Sequence, residues 1–194
     1  MVAKRDNRLQ RASGFTLLEL MVVVAIIGIF VGVTVLSTDI VSFDRQLDQQ
    51  ADRLGTLVDL ATDEALLQTM DFGILISEDS YHFFVFDYDV EDWVPYDRRP
   101  FAAHDLPPDM LLSLTLDDRE VILEPADELM PEQWSVPPTE EELERMPDPQ
   151  IVALSSGEVT PFRIQFIRES APFDPRAVLD VAFNGDYEVT MDEP

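Results

Sequence analysis

One apolar run near the start of the chain limits what the protein can be. Phe15–Leu36 contains 22 residues with a single charge, Glu19. As a helix this run is about 33 Å long, which matches the hydrocarbon core of a bilayer. Four of the 13 basic residues precede it, namely Lys4, Arg5, Arg8 and Arg11. The sequence therefore predicts one transmembrane helix over 15–36, with residues 1–14 in the cytoplasm and the rest across the membrane.

The apolar pattern continues past the predicted span without a helix breaker. Apolar residues recur at steps of three and four, namely Ile40, Phe43, Leu47, Ala51, Leu54, Val58, Ala61 and Ala65. This spacing is typical of one buried stripe on an amphipathic helix. We therefore predict one long helix over 15–71, ending near Asp71–Gly73. A secretory signal peptide would instead end its apolar core at a cleavage site with small residues.

The remaining residues, 72–194, have the pattern of an antiparallel β domain. All 14 prolines lie from Pro95 onward, so a second long helix is disfavoured there. Alternating apolar residues predict four hairpins. Their strands are Phe72–Ser77 with Tyr81–Asp87, Met110–Leu116 with Glu120–Leu123, Ile151–Leu154 with Phe162–Arg168, and Val178–Phe183 with Tyr187–Met191. The last pair flanks Asn184-Gly185, a sequence that favours a type I′ turn.

An acidic, proline-rich segment interrupts the β domain at 124–149. We predict that it is a solvated loop with one helical turn at Thr139–Met146, because Thr139 and Glu142 have the spacing of a capping box. We expect several aromatic residues to belong to the core rather than to a ligand-binding surface. They are Trp93, Trp134 and those of the phenylalanine-rich strand that follows His82.

Composition excludes several classes of chemistry. The chain has no Cys and only two histidines, His82 and His104, so thiolate or multi-histidine metal sites are not expected. A formal charge of −26 argues against nucleic acid as the main partner. The acidic run 87–92 starts like a calcium loop but lacks its glycine, so we interpret it as an acidic turn. No nucleophile motif is present, and we predict no catalytic residue, cofactor or metal.

Glu19 is the residue of the apolar run that most needs an explanation. A charged side chain inside a bilayer costs about 2.5–3.5 kcal/mol on insertion scales. We predict that Glu19 pairs with a cation of a neighbouring chain, although an interfacial glutamate could also simply mark the membrane boundary. Gly28 and Gly32 form a GxxxG spacing that allows close helix packing, with local flexibility as the alternative.

The segment from Arg11 to Glu19, RASGFTLLE, resembles the type III signal of type IV prepilins and type II secretion pseudopilins. The resemblance implies that residues 1–14 are a leader, which a prepilin peptidase removes between Gly14 and Phe15. The same enzyme would methylate the new amine of Phe15. Glu19 would become the fifth residue of the mature chain, able to neutralise the Phe15 amine of an adjacent subunit.

Later stretches are similar to minor pseudopilin H of type II secretion. They include 65–74, 81–86, 106–107 and, most distinctively, 149–162. This resemblance implies an α+β, type IV pilin-like fold, in which one long N-terminal helix packs on an antiparallel β-sandwich-like head. The high content of acidic residues and the insertion at 124–149 depart from the family pattern. So does the absence of a proline near Leu36, which suggests a straighter helix.

Family membership would imply a structural subunit rather than an enzyme. The expected place is the bacterial inner membrane, with a periplasmic head, near the tip of the pseudopilus that drives protein export across the outer membrane. Expected partners are minor pseudopilins I, J and K and the major pseudopilin G. The alternatives are a minor pilin of a type IV pilus and a membrane-anchored enzyme or acidic binding domain.

Overall fold

The structure, a computed structural model, describes residues 17–130, 138–174 and 176–192, without the side chains of 30–42 and of Glu140. The first element is the helix α1, Leu17–Gln68. Ten strands and two short helices follow in the described residues: β1 (Phe72–Ile76), β2 (Ser80–Asp87), β3 (Asp92–Pro95), β4 (His104–Asp105), β5 (Met110–Leu116), β6 (Arg119–Val121), α2 (Ala126–Leu129), α3 (Glu140–Leu143), β7 (Ile151–Ala153), β8 (Phe162–Arg168), β9 (Arg176–Val181) and β10 (Tyr187–Asp192).

The chain divides into two compact units, residues 1–42 and residues 43–194. We call the second unit the head. It contains the C-terminal half of α1 and two five-stranded antiparallel sheets. Sheet A has the order β3-β2-β1-β7, with β4 paired on β2, and sheet B has the order β10-β9-β8-β5-β6. The α+β fold class predicted from the sequence is thus confirmed, with an N-terminal helix followed by antiparallel sheets.

The apolar stripe of α1 forms the centre of the head. Its residues from Leu47 to Ala65 are almost fully buried, as predicted, while the side chain of Ile40 lies outside the described residues. The stripe shares one core cluster with residues of both sheets. These include Phe72, Ile74 and Ile76 of β1 and Ile164 and Phe166 of β8. The apolar residues that recur every two positions in the strands and about every 3.6 positions in the helix therefore pack into one core.

Three of the four predicted hairpins are confirmed, and one is wrong. β7 pairs with β1 in sheet A, whereas β8 pairs with β5 and β9 in sheet B. The alternating pattern identifies each strand but not its partner, because both sheets offer an apolar inner face. The prediction of a type I′ turn at Asn184-Gly185 is also wrong. Only Gly185 has a positive φ, +83°, within a three-residue loop at 183–185.

The acidic segment 124–149 is not simply a solvated loop. In its described part, Met130 is buried against Leu75 and Phe84 on the outer face of sheet A, with Trp93 beside them. The predicted capping box is present, because the backbone N–H of Thr139 donates to Glu142 at 2.7 Å. Trp134 lies outside the described residues. The described part of the segment holds the short helices α2 and α3, and the proline content gave no sign of this second apolar cluster.

The helix α1 lies very close to the edge strand β10. A Cβ atom at Gly55 would overlap the ring of Tyr187. The Tyr187 hydroxyl also lies 3.1 Å from the hydroxyl of Thr56 in a hydrogen bond. Glycine at position 55 thus allows the helix and sheet B to make this contact.

We predict that Gly55→Ala destabilises the head by about 1–3 kcal/mol, because the added methyl group must displace the Tyr187 ring. Urea unfolding of the full chain in detergent measures this loss. Gly28→Ala is the matched control, because a Cβ atom there meets nothing within 4 Å. Equal stability of the two variants would contradict the close approach.

Asp71 connects the end of α1 to two loops of the head. Its carboxylate accepts a hydrogen bond from the backbone N–H of Ser155 at 2.7 Å and another from the Tyr88 hydroxyl at 2.8 Å. α1 ends at Gln68, slightly earlier than predicted, and Thr69 has a φ of +55°. Burial raises the pKa of Asp71, but these hydrogen bonds outweigh it and lower the pKa below the ordinary value of 3.8.

Because the folded pKa of Asp71 is depressed, its ionised form stabilises the head above about pH 4, and this contribution is lost as the pH falls through the folded pKa. We therefore expect Asp71→Asn to lower the Tm at pH 7. The difference in Tm between the variant and the wild type should become smaller below pH 4. Thermal melts from pH 3 to pH 7 check this, and a gap that is independent of pH would contradict it.

Candidate functional site

The N-terminal part of α1 carries the described residues of the predicted assembly site. Glu19 lies in the first turn of the helix and is exposed. Gly28 has open space around its Cα. Gly32 belongs to α1, but its surroundings are outside the described residues, as are Gly14 and Phe15 altogether. The described helix therefore places Glu19 and Gly28 on one element, within the first of the two compact units.

Large apolar side chains are exposed on every side of this part of α1. They comprise Leu17, Leu18, Leu20, Met21, Val22, Val23, Val24, Ile26, Ile27 and Ile29, with exposures from 43% to 77%. In the head, by contrast, α1 has one buried stripe and a polar opposite face. A helix that is apolar all round is typical of a segment surrounded by lipid or by other helices.

Within the described ranges, none of the helices combines the length and the apolar character that crossing a membrane requires. The predicted span 15–36 is only partly covered by those ranges. Residues 15 and 16 and the side chains from residue 30 to residue 42 lie outside them.

The two histidines, His82 and His104, lie on the paired strands β2 and β4 of the head. The Nε2 atom of His104 lies 2.9 Å from the amide oxygen of Gln50. Burial lowers the pKa of both His82 and His104 below the ordinary value, although nearby acids, chiefly Asp105, oppose this. Among the residues that the structure describes, no group of three or more His, Cys, Asp or Glu side chains could hold a metal ion.

The acidic run 87–92 forms the turn between β2 and β3. The carboxylate of Asp87 accepts a hydrogen bond from the backbone N–H of Asp89 at 2.8 Å, and Glu91 has a φ of +56°. These contacts are those of a tight turn, as the missing glycine of a calcium loop indicated.

Two structurally important residues were missed by the sequence reasoning. A glycine in the middle of an amphipathic helix, Gly55, was a signal for a close approach. Asp71 gave no comparable signal, because its partners Ser155 and Tyr88 are distant in the sequence.

Comparison with known proteins agrees with this arrangement. The model of the prokaryotic N-terminal methylation motif matches residues 9–35. The type II secretion system protein H of Pseudomonas aeruginosa is 38% identical over 157 residues, which cover 80% of this chain and 83% of that protein. The chain belongs to the type II secretion system protein H family. This relationship extends over far more residues than the N-terminal motif and therefore includes much of the head, so it favours type II secretion over a type IV pilus.

Solved structures share the fold of this protein H family member. The minor pseudopilin EpsH of the Vibrio cholerae type 2 secretion system matches with a TM-score of 0.55 and 20% identity, covering 75% of this chain and 96% of that one. A second structure of EpsH matches with a TM-score of 0.56 and 21% identity, covering 76% of this chain and 94% of that one. Escherichia coli GspH matches with a TM-score of 0.52 and 18% identity, covering 79% of this chain and 92% of that one. The pilin-like fold that the sequence implied is thus confirmed.

Proposed function

We propose that the chain is a minor pseudopilin that assembles through the N-terminal part of α1. The observation that carries the proposal is the position of the methylation motif. It covers residues 9–35, and the described side chains within it, from Leu17 to Ile29, are exposed and, apart from Glu19, apolar. Such a surface requires lipid before assembly and neighbouring helices afterwards.

Processing prepares this helix for assembly. A prepilin peptidase in the inner membrane cuts between Gly14 and Phe15, which removes the basic leader and creates a new α-amino group. Methylation of the Phe15 nitrogen by the same enzyme leaves it a basic amine, so it stays a cation at neutral pH. The apolar segment of the mature chain then has one cation, at its first residue, and one carboxylate, Glu19, four residues further along the sequence.

Glu19 pairs with the terminal amine of an adjacent subunit. Away from water, such a pair gains little net stability over an apolar contact, because both ions lose their hydration. Removing one partner strands the other charge, which commonly costs about 3–5 kcal/mol. The pair thus selects the axial register in which the two charges meet. Gly28 and Gly32 then let the helices approach closely.

The chain spans the bacterial inner membrane once through residues 15–36, with a cytoplasmic N-terminus and a periplasmic head. Its partners are the minor pseudopilins I, J and K and the major pseudopilin G. Near the tip of the pseudopilus it joins these subunits in the filament that drives protein export across the outer membrane. The protein has a structural role and catalyses no reaction.

We expect the chain recovered from membranes of its natural host to begin at Phe15 and to carry one added methyl group there. Cleavage exposes this nitrogen, and the leader that precedes it is lost. Mass spectrometry of the N-terminal peptide measures both changes at once. A chain that begins at Met1 would refute the processing step and favour an ordinary membrane anchor.

We expect Glu19→Ala to weaken co-purification with pseudopilins I, J, K and G by about tenfold or more, because the amine of the neighbour is left unpaired. Leader cleavage and folding of the head should be unchanged, since Glu19 lies outside both the cleaved bond and the core. Quantitative mass spectrometry after affinity capture from detergent-solubilised membranes measures the loss.

The matched control for this experiment is Asp59→Ala, which removes an exposed carboxylate from the head portion of the same helix. It should leave assembly intact. Glu19→Gln tests the charge itself, because it keeps the size of the side chain. Normal assembly of Glu19→Gln together with failure of Glu19→Ala would mean that packing, and not charge, is what the site requires.

A further inference from the structure

Four segments of the head meet at the C-terminal end of α1. Asp71 joins the β2–β3 turn to the β7–β8 loop through its bonds to Tyr88 and Ser155. The side chain of Leu66 lies against Gly157 of the β7–β8 loop. The backbone N–H of Val159 donates to the carbonyl of Phe183 in the β9–β10 loop at 2.8 Å. One surface is therefore built from α1 and three loops.

This surface holds most of the exposed apolar side chains of the head. Of the ten large ones among the described head residues, six lie here. We call them the apolar cap: Leu66, Leu67, Tyr88, Val90, Leu154 and Phe183. Leu67 is 81% exposed and Phe183 is 56% exposed. Exposed apolar residues gathered in one patch and rimmed by polar groups mark interaction sites far more often than single ones do.

In the part of the chain that the structure describes, the exposed charges of the segments that build the apolar cap are all negative. The exposed charged residues of the cap segments are Asp63, Asp89, Glu91, Glu158 and Asp186. No lysine or arginine occurs in 54–97, 146–162 or 177–194, the stretches that supply the cap and its rim. The segments of this surface thus combine exposed apolar side chains with exposed charges of one sign.

We propose that the apolar cap docks the head of a different pseudopilin, through a face with an apolar centre and a rim of lysine and arginine. The proposal rests on the proposed function, because it takes the partner from the same filament. The cap lies at the C-terminal end of α1, whereas the processing motif lies at the N-terminal end. One helix then carries two separate contacts, one between helices and one between heads.

Charge complementarity selects this occupant over a second copy of the chain. Two copies that met through their caps would bring two acidic rims together, and like charges facing each other across an interface cost several kcal/mol. An anionic lipid surface is disfavoured for the same reason. A basic rim on the partner instead gives attraction at the edge while the apolar centre is buried.

The test compares two double variants of the full chain in detergent micelles. Leu67→Gln/Phe183→Ser removes two apolar side chains from the cap. Ile122→Gln/Phe173→Ser is the matched control, because these residues are 93% and 83% exposed elsewhere in the head. Binding to purified pseudopilins I, J, K and G is measured by biolayer interferometry. We expect the cap variant to lose about tenfold or more in affinity for one of them, and the control less than about twofold.

Charge reversal tests the rim independently. Glu158→Lys should slow association with that same pseudopilin and reduce the salt dependence of binding. Glu169→Lys is its control, because it lies in the β8–β9 turn, at the other end of the sheet B strands. Wild-type association should also slow as NaCl rises from about 50 mM to about 500 mM, since this screens the rim charges.

The outcomes separate the docking inference from the proposed function. Wild-type affinity of the cap variant, with Glu19→Ala still defective in assembly, would overturn the docking surface and leave the proposed function standing. Self-association lost in the cap variant would overturn the choice of a different pseudopilin as occupant. Failure of the wild type to bind any pseudopilin, with an intact Met1 terminus, would overturn both.

Discussion

An α-helix that is apolar on every side cannot remain exposed to water, and the described residues 17–29 of α1 form such a helix. Their side chains must be covered by lipid or by other helices. In the head, the same helix has one buried stripe that the two sheets cover completely. The change from all-round to one-sided apolarity divides α1 into an assembly element and a core element. This division underlies each functional proposal made for the chain.

The charge distribution adds selectivity to that packing. Within the predicted span only Glu19 is charged. The axial register that brings a partner's cation next to Glu19 is therefore favoured over other registers, which would leave the carboxylate unpaired. In the head, acids surround the apolar cap, so copies of the chain repel each other there. The acidic residues around the cap favour contacts with different subunits, whereas the Glu19 pair does not, because every processed copy has the same Phe15 amine and Glu19 carboxylate.

Regular patterns in the sequence predicted much of this structure. The stripe from Leu47 to Ala65 and three hairpins could be identified because helices and strands have fixed periods. The partner of β7 could not, since either sheet would bury its apolar face. The packing of Met130 on Leu75 and the contact of Gly55 with Tyr187 depend on residues far apart in the sequence, which local patterns do not report. The motif predicted a role of Glu19 in assembly from the sequence alone, whereas the apolar cap forms only when four segments fold together.

The pairing of Glu19 with a neighbouring terminus can be measured by carbodiimide cross-linking. Dicyclohexylcarbodiimide is apolar and joins a carboxylate to a nearby amine within membranes. Treated membranes of the natural host are digested, and cross-linked peptides are identified by mass spectrometry. We expect an amide bond between the Glu19 side chain and the N-terminal nitrogen of another pseudopilin. Cross-links between heads of assembled subunits, without any between Glu19 and a terminal amine, would contradict it.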